Sequence, residues 1–300
     1  LKKMTSKKFF LIFSFLFIQI NIFAQASGNS VTNFNNKKLK SGLSDKSSTI
    51  YLSDSSFIIE ANVLMNVIAD SYIATFSVSQ EANNVKDCNE KIDKRIKDFL
   101  SALNKFGISQ NDVFVDFVTQ TQIADYRVIG NYSEQYISGF ELKKNVIIHF
   151  KNISDLDKIV VIAAEFEIYD LTNVEYNVLD VNKIYLQLFN SAVEIINQKK
   201  ELYSKATNSK LLPNSEIFGE NFYAVFPIQL YNAYAPNISS SYYDYNDRAK
   251  RKELRQNKTY YYQKVSYSGY DKIINPVVVE PAVEYGLTLQ IKFNIEKIKK

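Results

Sequence analysis

From Val283 to Ile295 the chain alternates without a break. Val283, Tyr285, Leu287, Leu289, Ile291, Phe293 and Ile295 are apolar, and Glu284, Gly286, Thr288, Gln290, Lys292 and Asn294 fall between them. Successive side chains of a strand point to opposite faces, so this pattern predicts one strand of roughly 40 Å with one covered face. Such a strand needs a sheet of comparable strands, a layer on its apolar side, and edges that are paired or shielded. The rest of the composition fits long regular elements: only 8 glycines stand against 21 tyrosines and 21 phenylalanines, and aromatic and β-branched residues suit pleated surfaces. A single cysteine, Cys88, excludes an intramolecular disulfide framework, so stability must come from a buried core.

Upstream, Phe57–Ile59 and Val63–Met65 suggest a first strand or strand pair, and Tyr72, Ala74, Phe76 and Val78 alternate through another. Val85, Cys88, Ile92, Ile96, Phe99, Leu100, Leu103 and Phe106 recur at spacings of three and four, which places them on one face of a helix. Asn83 or Asn84 can cap its start and Gly107 its end, with Ile108 making the apolar contact behind. Val113 to Val118 reads as a strand. After a turn around Gly130-Asn131, Phe140, Leu142, Val146, Ile148 and Phe150 alternate through the next. Ser154 with Asp157 resembles a capping box for a short helix through Ala164. Glu167 to Val178 reads as extended. A long helix follows from about Val181 to Ala206, with Ile184, Leu188, Ala192, Ile195, Ile196 and Leu202 inward. Pro213 ends that segment, and Phe222 to Leu230 is a candidate strand interrupted at Pro227.

This order predicts an α+β fold: an antiparallel or mixed β-sheet with long strands and about three helices packed on one face. The other sheet face carries more polar residues and is expected to be solvated or covered by a partner. One domain spans residues 56–296. Within it, residues 236–276 read as an insertion, where tyrosine clusters flank Arg248, Lys250, Arg251, Lys252, Arg255 and Lys258.

The N-terminal segment has a different character. Lys2, Lys3, Lys7 and Lys8 precede an apolar run from Phe9 to Ile18, and Ala24-Gln25-Ala26 supplies small residues at cleavage spacing. Residues 1–26 are therefore expected to be a cleaved signal peptide, and the mature protein periplasmic. Gln19 and Asn21 break the run below the roughly 20 apolar residues that span a bilayer, so no transmembrane segment is expected after cleavage. Residues 27–55 read as a polar, flexible leader. The four lysines of the first segment account for the whole formal charge of +4. The remaining chain is formally neutral, and nothing in its charge points to nucleic acid.

Several stretches resemble the SIMPL-domain family of exported bacterial proteins, which includes oxidative-stress-defence and periplasmic immunogenic proteins. Ile68 to Ala74 looks like the start of the family's first strand, with Ala69 where a proline is usual. Leu100 to Ile108, followed by Asn111-Asp112-Val113, is similar to its helix end, glycine and strand start. Ser138-Gly139-Phe140 through Asn145-Val146, then Leu156 to Ile159, resembles its central strand and second helix. Glu280 to Glu284 leads into the closing strand. The resemblance covers about residues 57–230 and 277–295. Two departures stand out: the tyrosine-rich insertion, and Glu165-Phe166-Glu167 where the family has a glycine-containing turn. The resemblance implies an envelope protein with no established catalytic residues, in a family whose members can assemble into large rings or channel-like oligomers.

The residues themselves point the same way on chemistry. His149 is the only histidine, which removes two-histidine zinc sites; it alternates with Ile148 and Phe150 and reads as a sheet-face residue. Cys88 lies on an apolar helix stripe, where burial raises a thiol's pKa, and it has no resolving partner. Glu165 and Glu167, two apart on extended chain, could form a carboxylate pair but are equally solvated strand positions. Asp155 and Asp157 suit a helix N-terminus. No catalytic, cofactor-binding or metal-binding residue is assigned, and no cofactor is expected. The expectation is a non-enzymatic exported envelope module, linked to envelope or oxidative stress, that self-assembles as a homo-oligomer through strand edges or faces. The alternative is a monomeric binding module for a small ligand or an envelope protein partner; a hydrolase ranks third.

Overall fold

The computed structural model describes residues 30–32, 51–53, 55–235 and 259–296. The expected signal segment and the basic stretch 248–258 lie outside them. Two three-residue strands, β1 (Ser30–Thr32) and β2 (Tyr51–Ser53), fall within the stretch read as a leader. The main elements then follow in the order β3 (Ser56–Val67), β4 (Ser71–Ala82), α1 (Val85–Phe106), β5 (Val113–Ile129), β6 (Tyr132–Phe150), α2 (Asp155–Glu165), β7 (Asp170–Asn177), α3 (Val181–Thr207), β8 (Leu211–Val225), β9 (Tyr231–Ala235), β10 (Thr259–Tyr262), β11 (Lys272–Ile274) and β12 (Val283–Ile295). The fold is α+β with antiparallel and mixed sheets, as the periodicities predict. Ser30–Thr32 pairs antiparallel with Ala233–Ala235, and these residues belong to a small separate unit. Everything else described below lies in the large unit.

Apart from β10 and the start of β9, which pair with each other, the strands of the large unit divide between two sheets. One has the order β5-β6-β4-β7. Helix α1 lies on it and buries Cys88, Ile92, Ile96, Phe99 and Leu103 against Ala74, Phe76, Val78, Leu142, Val146 and Ile148, with Ile159 and Ala163 of α2 alongside. The ends of α1 are closed as its sequence demands. The Asn84 side chain accepts from the Asp87 N–H at 2.8 Å. Gly107 takes φ 108°, and its N–H and that of Ile108 return to the carbonyls of Asn104 and Leu103; this satisfies carbonyls the helix leaves open. Ser154 does not cap α2 through its side chain, because its own backbone is already helical there (φ −63°, ψ −16°).

The other sheet has the order β11-β3-β12-β8, with β2 also on β3. Strand β12 is an inner strand, antiparallel to both neighbours, and runs in register with β3 from Val283↔Val67 to Asn294↔Ser56. Its edges are therefore paired within the chain. Its apolar face, with Phe57, Ile59, Ala61, Val63 and Met65 of β3, packs on Ile184, Leu188, Ala192 and Ile196 of α3. Leu202, expected inward, is exposed; in its turn the side chain that packs on the core is that of Tyr203. Tyr176 packs against the cores of both sheets, its ring edge-on to Tyr72 with centroids 5.2 Å apart.

The opposite face of this sheet is neither solvated nor left for a partner. Glu60, Asn62, Asn66, Glu284 and Thr288 are all buried there, and residues 262–270 lie over part of this face. Glu60 accepts from Asn62 at 2.9 Å and from Gln290 at 2.5 Å, and Thr288 donates to Asn62 at 2.7 Å. Asn66 donates to the Tyr267 hydroxyl at 2.9 Å, and Asp271 accepts from the Asn62 N–H at 2.8 Å. Lys199 of α3 pairs with Asp271 at 2.6 Å. The second half of the stretch read as an insertion is thus part of the fold: β11 adds to β3 in parallel.

Other expectations give way to local geometry. Pro213 lies inside β8 rather than before the next element, near the start of an edge strand where its missing N–H is tolerated. Phe222 to Leu230 is not one strand, since β8 stops at Val225 and a 3₁₀ turn covers Pro227–Leu230.

Two substitutions test this packing. A Cβ on Gly286 would lie 2.2 Å from Cζ of Tyr223, whose hydroxyl is tied to that of Tyr270 at 2.5 Å. Gly286→Ala is expected to cost about 1–3 kcal/mol by overpacking. In a Tyr223→Ala background that cost should largely vanish, as a denaturant double-mutant cycle would measure; equal costs in both backgrounds would count against the contact. Glu167 holds φ 59° just past α2, a left-handed conformation that costs a side-chain-bearing residue roughly 1–2 kcal/mol. Glu167→Gly is therefore expected to raise the thermal midpoint, and a clear fall would show that strain is absent.

Candidate functional site

The most distinctive surface lies where β5 and β6 outrun the sheet. Strand β4 pairs with β6 only as far as Ala82↔Phe140. Beyond it β5 and β6 continue as a two-stranded ribbon from Ala124↔Ile137 to Ile129↔Tyr132, closed at Gly130 with φ 63°. That extension is roughly 20 Å at the usual rise per residue. Isolated two-stranded ribbons are marginal in water, so this one depends on its pairs and on whatever covers it.

Its two faces differ. Residues directly opposite in the register share a face, so Asp125 lies beside Tyr136, Arg127 beside Glu134 and Ile129 beside Tyr132. There Arg127 donates to Glu134 at 2.9 and 3.0 Å and stacks over Tyr136, 5.6 Å from the ring centroid. The other face carries Ala124 with Ile137, Tyr126 with Gln135, and Val128 with Ser133. Tyr126, Val128 and Ile137 are exposed, Val128 at 80%. Ile129 and Tyr132 are exposed too, on the face of the ion pair, so the ribbon presents large apolar side chains to water on both faces, with charge on one of them. Phe114 and Phe117 extend the exposed apolar surface of β5 toward the sheet, and β5 is itself an edge strand. The sequence reading stopped β5 at Val118 and started the next strand at Phe140, so it missed this feature. Its nearest signal was the Gly130-Asn131 turn.

The residues weighed for chemistry are scattered. His149 sits on the open face of the four-stranded sheet, half-buried, with Nδ1 3.0 Å from Oδ1 of Asp112. Among the described residues no serine, threonine or cysteine side chain hydrogen-bonds to it. Cys88 is buried and donates to the Gln80 carbonyl at 2.9 Å; burial pushes its thiol up, away from the thiolate. Glu165 and Glu167 do not form a pair on a strand. Glu165 ends α2 and Glu167 occupies the left-handed turn, where its carbonyl accepts from Arg95. Asp155 and Asp157 lie in the first turn of α2, where the helix dipole favours them. Among the described residues no group of three or more His, Cys, Asp or Glu is placed to hold a metal ion.

A cluster of electrostatically perturbed groups lies elsewhere. Glu284 has no exposed surface, and burial pushes its carboxyl up to about 7. Burial and the nearby Glu284 push the Tyr262 phenol up to about 12. Tyr223 and Tyr270 are raised as well, each first by burial. A groove of about 690 Å³ runs between α1 and β5, floored by Ile96, Leu100, Ile108, Val113 and Val115 with Asp93 and Lys97 at its rim. It contains no convergent set of titratable groups. No described helix is long and apolar enough to cross a membrane.

Comparison with known proteins agrees with the architecture. No curated protein matches the chain. The SIMPL family model, described as a protein of unknown function (DUF541), matches residues 60–266, from β3 through both helical layers and into the segment over the polar sheet face. The chain belongs to the SIMPL family.

Proposed function

We propose that this protein is a non-enzymatic module of the cell envelope that assembles with copies of itself through the β5–β6 ribbon. The observation that supports it most directly is the exposed ribbon, with Tyr126, Val128 and Ile137 on one face and Ile129 and Tyr132 beside the Arg127–Glu134 pair on the other. Tyrosine and other large apolar side chains that stay in water on a marginal ribbon find their cover most simply on the same stripe of a second copy, a self-complementary contact. Export to the periplasm rests on the lysines and apolar run of residues 2–18 and on Ala24-Gln25-Ala26. A stress-defence role, in this reading, does not run through the buried Cys88.

The groove between α1 and β5 favours a second reading, a monomeric module that binds a small apolar ligand or a partner segment. The two separate in one experiment: light scattering on residues 27–300 across a dilution series. Assembly predicts a discrete multimer that persists on dilution, and Tyr126→Lys with Val128→Lys should shift it to smaller species while the thermal midpoint holds. A monomer at every concentration would sink self-assembly and direct attention to the groove.

A further inference from the structure

Residues 262–270 are held over the polar sheet face in an unusual way. The Glu284 carboxylate lies between the sheet and this segment, completely buried. Its protein partners come from the segment itself: the Val265 N–H lies 3.3 Å from both carboxyl oxygens, and the Tyr262 hydroxyl lies 3.4 Å from Oε1. No lysine or arginine nitrogen among the described residues pairs with it at ion-pair distance. An unpaired buried carboxylate is strongly disfavoured, and the local hydrogen bonds show how the site avoids one. The Tyr262 hydroxyl also lies 3.2 Å from the Ala282 carbonyl, the shorter contact. A phenol has one proton to donate. With that proton on the Ala282 carbonyl, the phenol oxygen, which otherwise accepts only a long 3.5 Å contact from the Ala282 N–H, can accept one from a protonated Glu284. The other fastenings of the segment among the described residues are neutral: Gln263 to Leu230 and Asn232, Tyr267 to Asn66 and Pro276, and Tyr270 to Tyr223.

We propose that Tyr262–Tyr270 is a proton-controlled strap, closed on the sheet while Glu284 carries its proton and loosened when that proton passes to solvent. The groups around the carboxyl fit this assignment. Strand β8 presents Tyr223, the strap presents Tyr262, Lys264, Tyr267 and Tyr270, and β9 presents Tyr231 behind Tyr262. From β3 the residue in register is the neutral Asn66. Lys264 is the only cation among them. The Val265 N–H, the Tyr262 hydroxyl and Lys264 each favour the charged form, and burial outweighs them. The strap's far end stays anchored when the near end opens, because Asp271 is bound to Asn62 and Lys199, and β11 is paired with β3. Loosening would therefore uncover Glu284, Asn66 and the tyrosine hydroxyls without unfolding the sheet.

The direction with pH follows from linkage. A carboxyl that holds its proton more tightly when closed than when open favours opening as pH rises. The effect grows between its exposed and buried titration points and levels off above the second. Hydrogen–deuterium exchange on the purified protein, corrected for the intrinsic rate, is the test. Protection of peptides spanning the strap should fall by up to about tenfold per pH unit between about pH 5 and about pH 7, then flatten, while α1 stays unchanged. Glu284→Gln, which cannot ionise, should keep the strap protected throughout. Protection independent of pH in the native protein, or an unchanged slope in Glu284→Gln, would overturn the proposal. If that variant does not fold, carbon-13 spectra of glutamate-labelled native protein decide: a carboxyl titrating with the exchange step supports the strap, and none above the ordinary glutamate range refutes it.

Discussion

The pairing of β12 with β3 carries the larger sheet, and the sheet carries the rest. Twelve residues of β12 meet twelve of β3 in unbroken register, from Val283↔Val67 to Asn294↔Ser56, so opposite ends of the described domain lie side by side. Neither the apolar face that holds α3 nor the polar face that holds the strap exists until that contact forms. Closing a loop of over 200 residues costs more entropy than a local hairpin, although the cost grows only slowly with length. The β5–β6 hairpin and α1 can form early on local contacts; the β3–β12 sheet has to wait for nearly the whole chain. Tyr176, packed into both cores, ties the late sheet to the early one.

The two faces of β12 solve different problems with the same backbone. On the α3 side Leu287 and Leu289 meet Leu188, Ala192 and Ile196, contacts that stabilise by the area taken from water and impose no protonation state. On the strap side each buried group needs a specific partner. Glu60 needs both Asn62 and Gln290, Asn62 needs Thr288, and Gly286 must lack a side chain so that Tyr223 can cross it. Polar layers of this kind contribute less net stability than an apolar layer of equal area, but a displaced strap leaves unsatisfied groups that recapture it in one register.

This contrast explains what the sequence makes legible. The stripes of α1 and α3 and the alternation of β12 are read correctly because one side of each meets an apolar layer, and burial writes a period into the residue types. Leu202 misleads because it stands beside the covered stripe, which continues through Tyr203. The ribbon beyond Ala82↔Phe140 leaves no such imprint: both its faces meet water, so Tyr126, Arg127 and Val128 follow no hydrophobic period. β8 is obscured for a related reason, as an edge strand that tolerates Pro213 and accommodates an irregularity in register beside Gly219. Glu284 was visible as a polar residue in the alternation. Its burial was not, because the tyrosines that cover it come from a stretch whose composition resembles a solvated insertion.

The same argument separates surfaces suited to permanent contacts from surfaces suited to conditional ones. The stripe of Tyr126, Val128 and Ile137 carries no carboxyl, imidazole or amine, so a contact made there gains chiefly by area. The strap closes over a carboxyl whose buried form titrates near 7, so its closure depends directly on protons. A conditional surface must be polar enough to survive in water when uncovered. Asn66, Glu284 and the tyrosine hydroxyls meet that requirement, whereas the α3-facing row of Leu287 and Leu289 would aggregate if it were ever exposed. The physical reason for placing a carboxyl under a tyrosine-lined segment is that both states of such a face are soluble, and the proton decides between them.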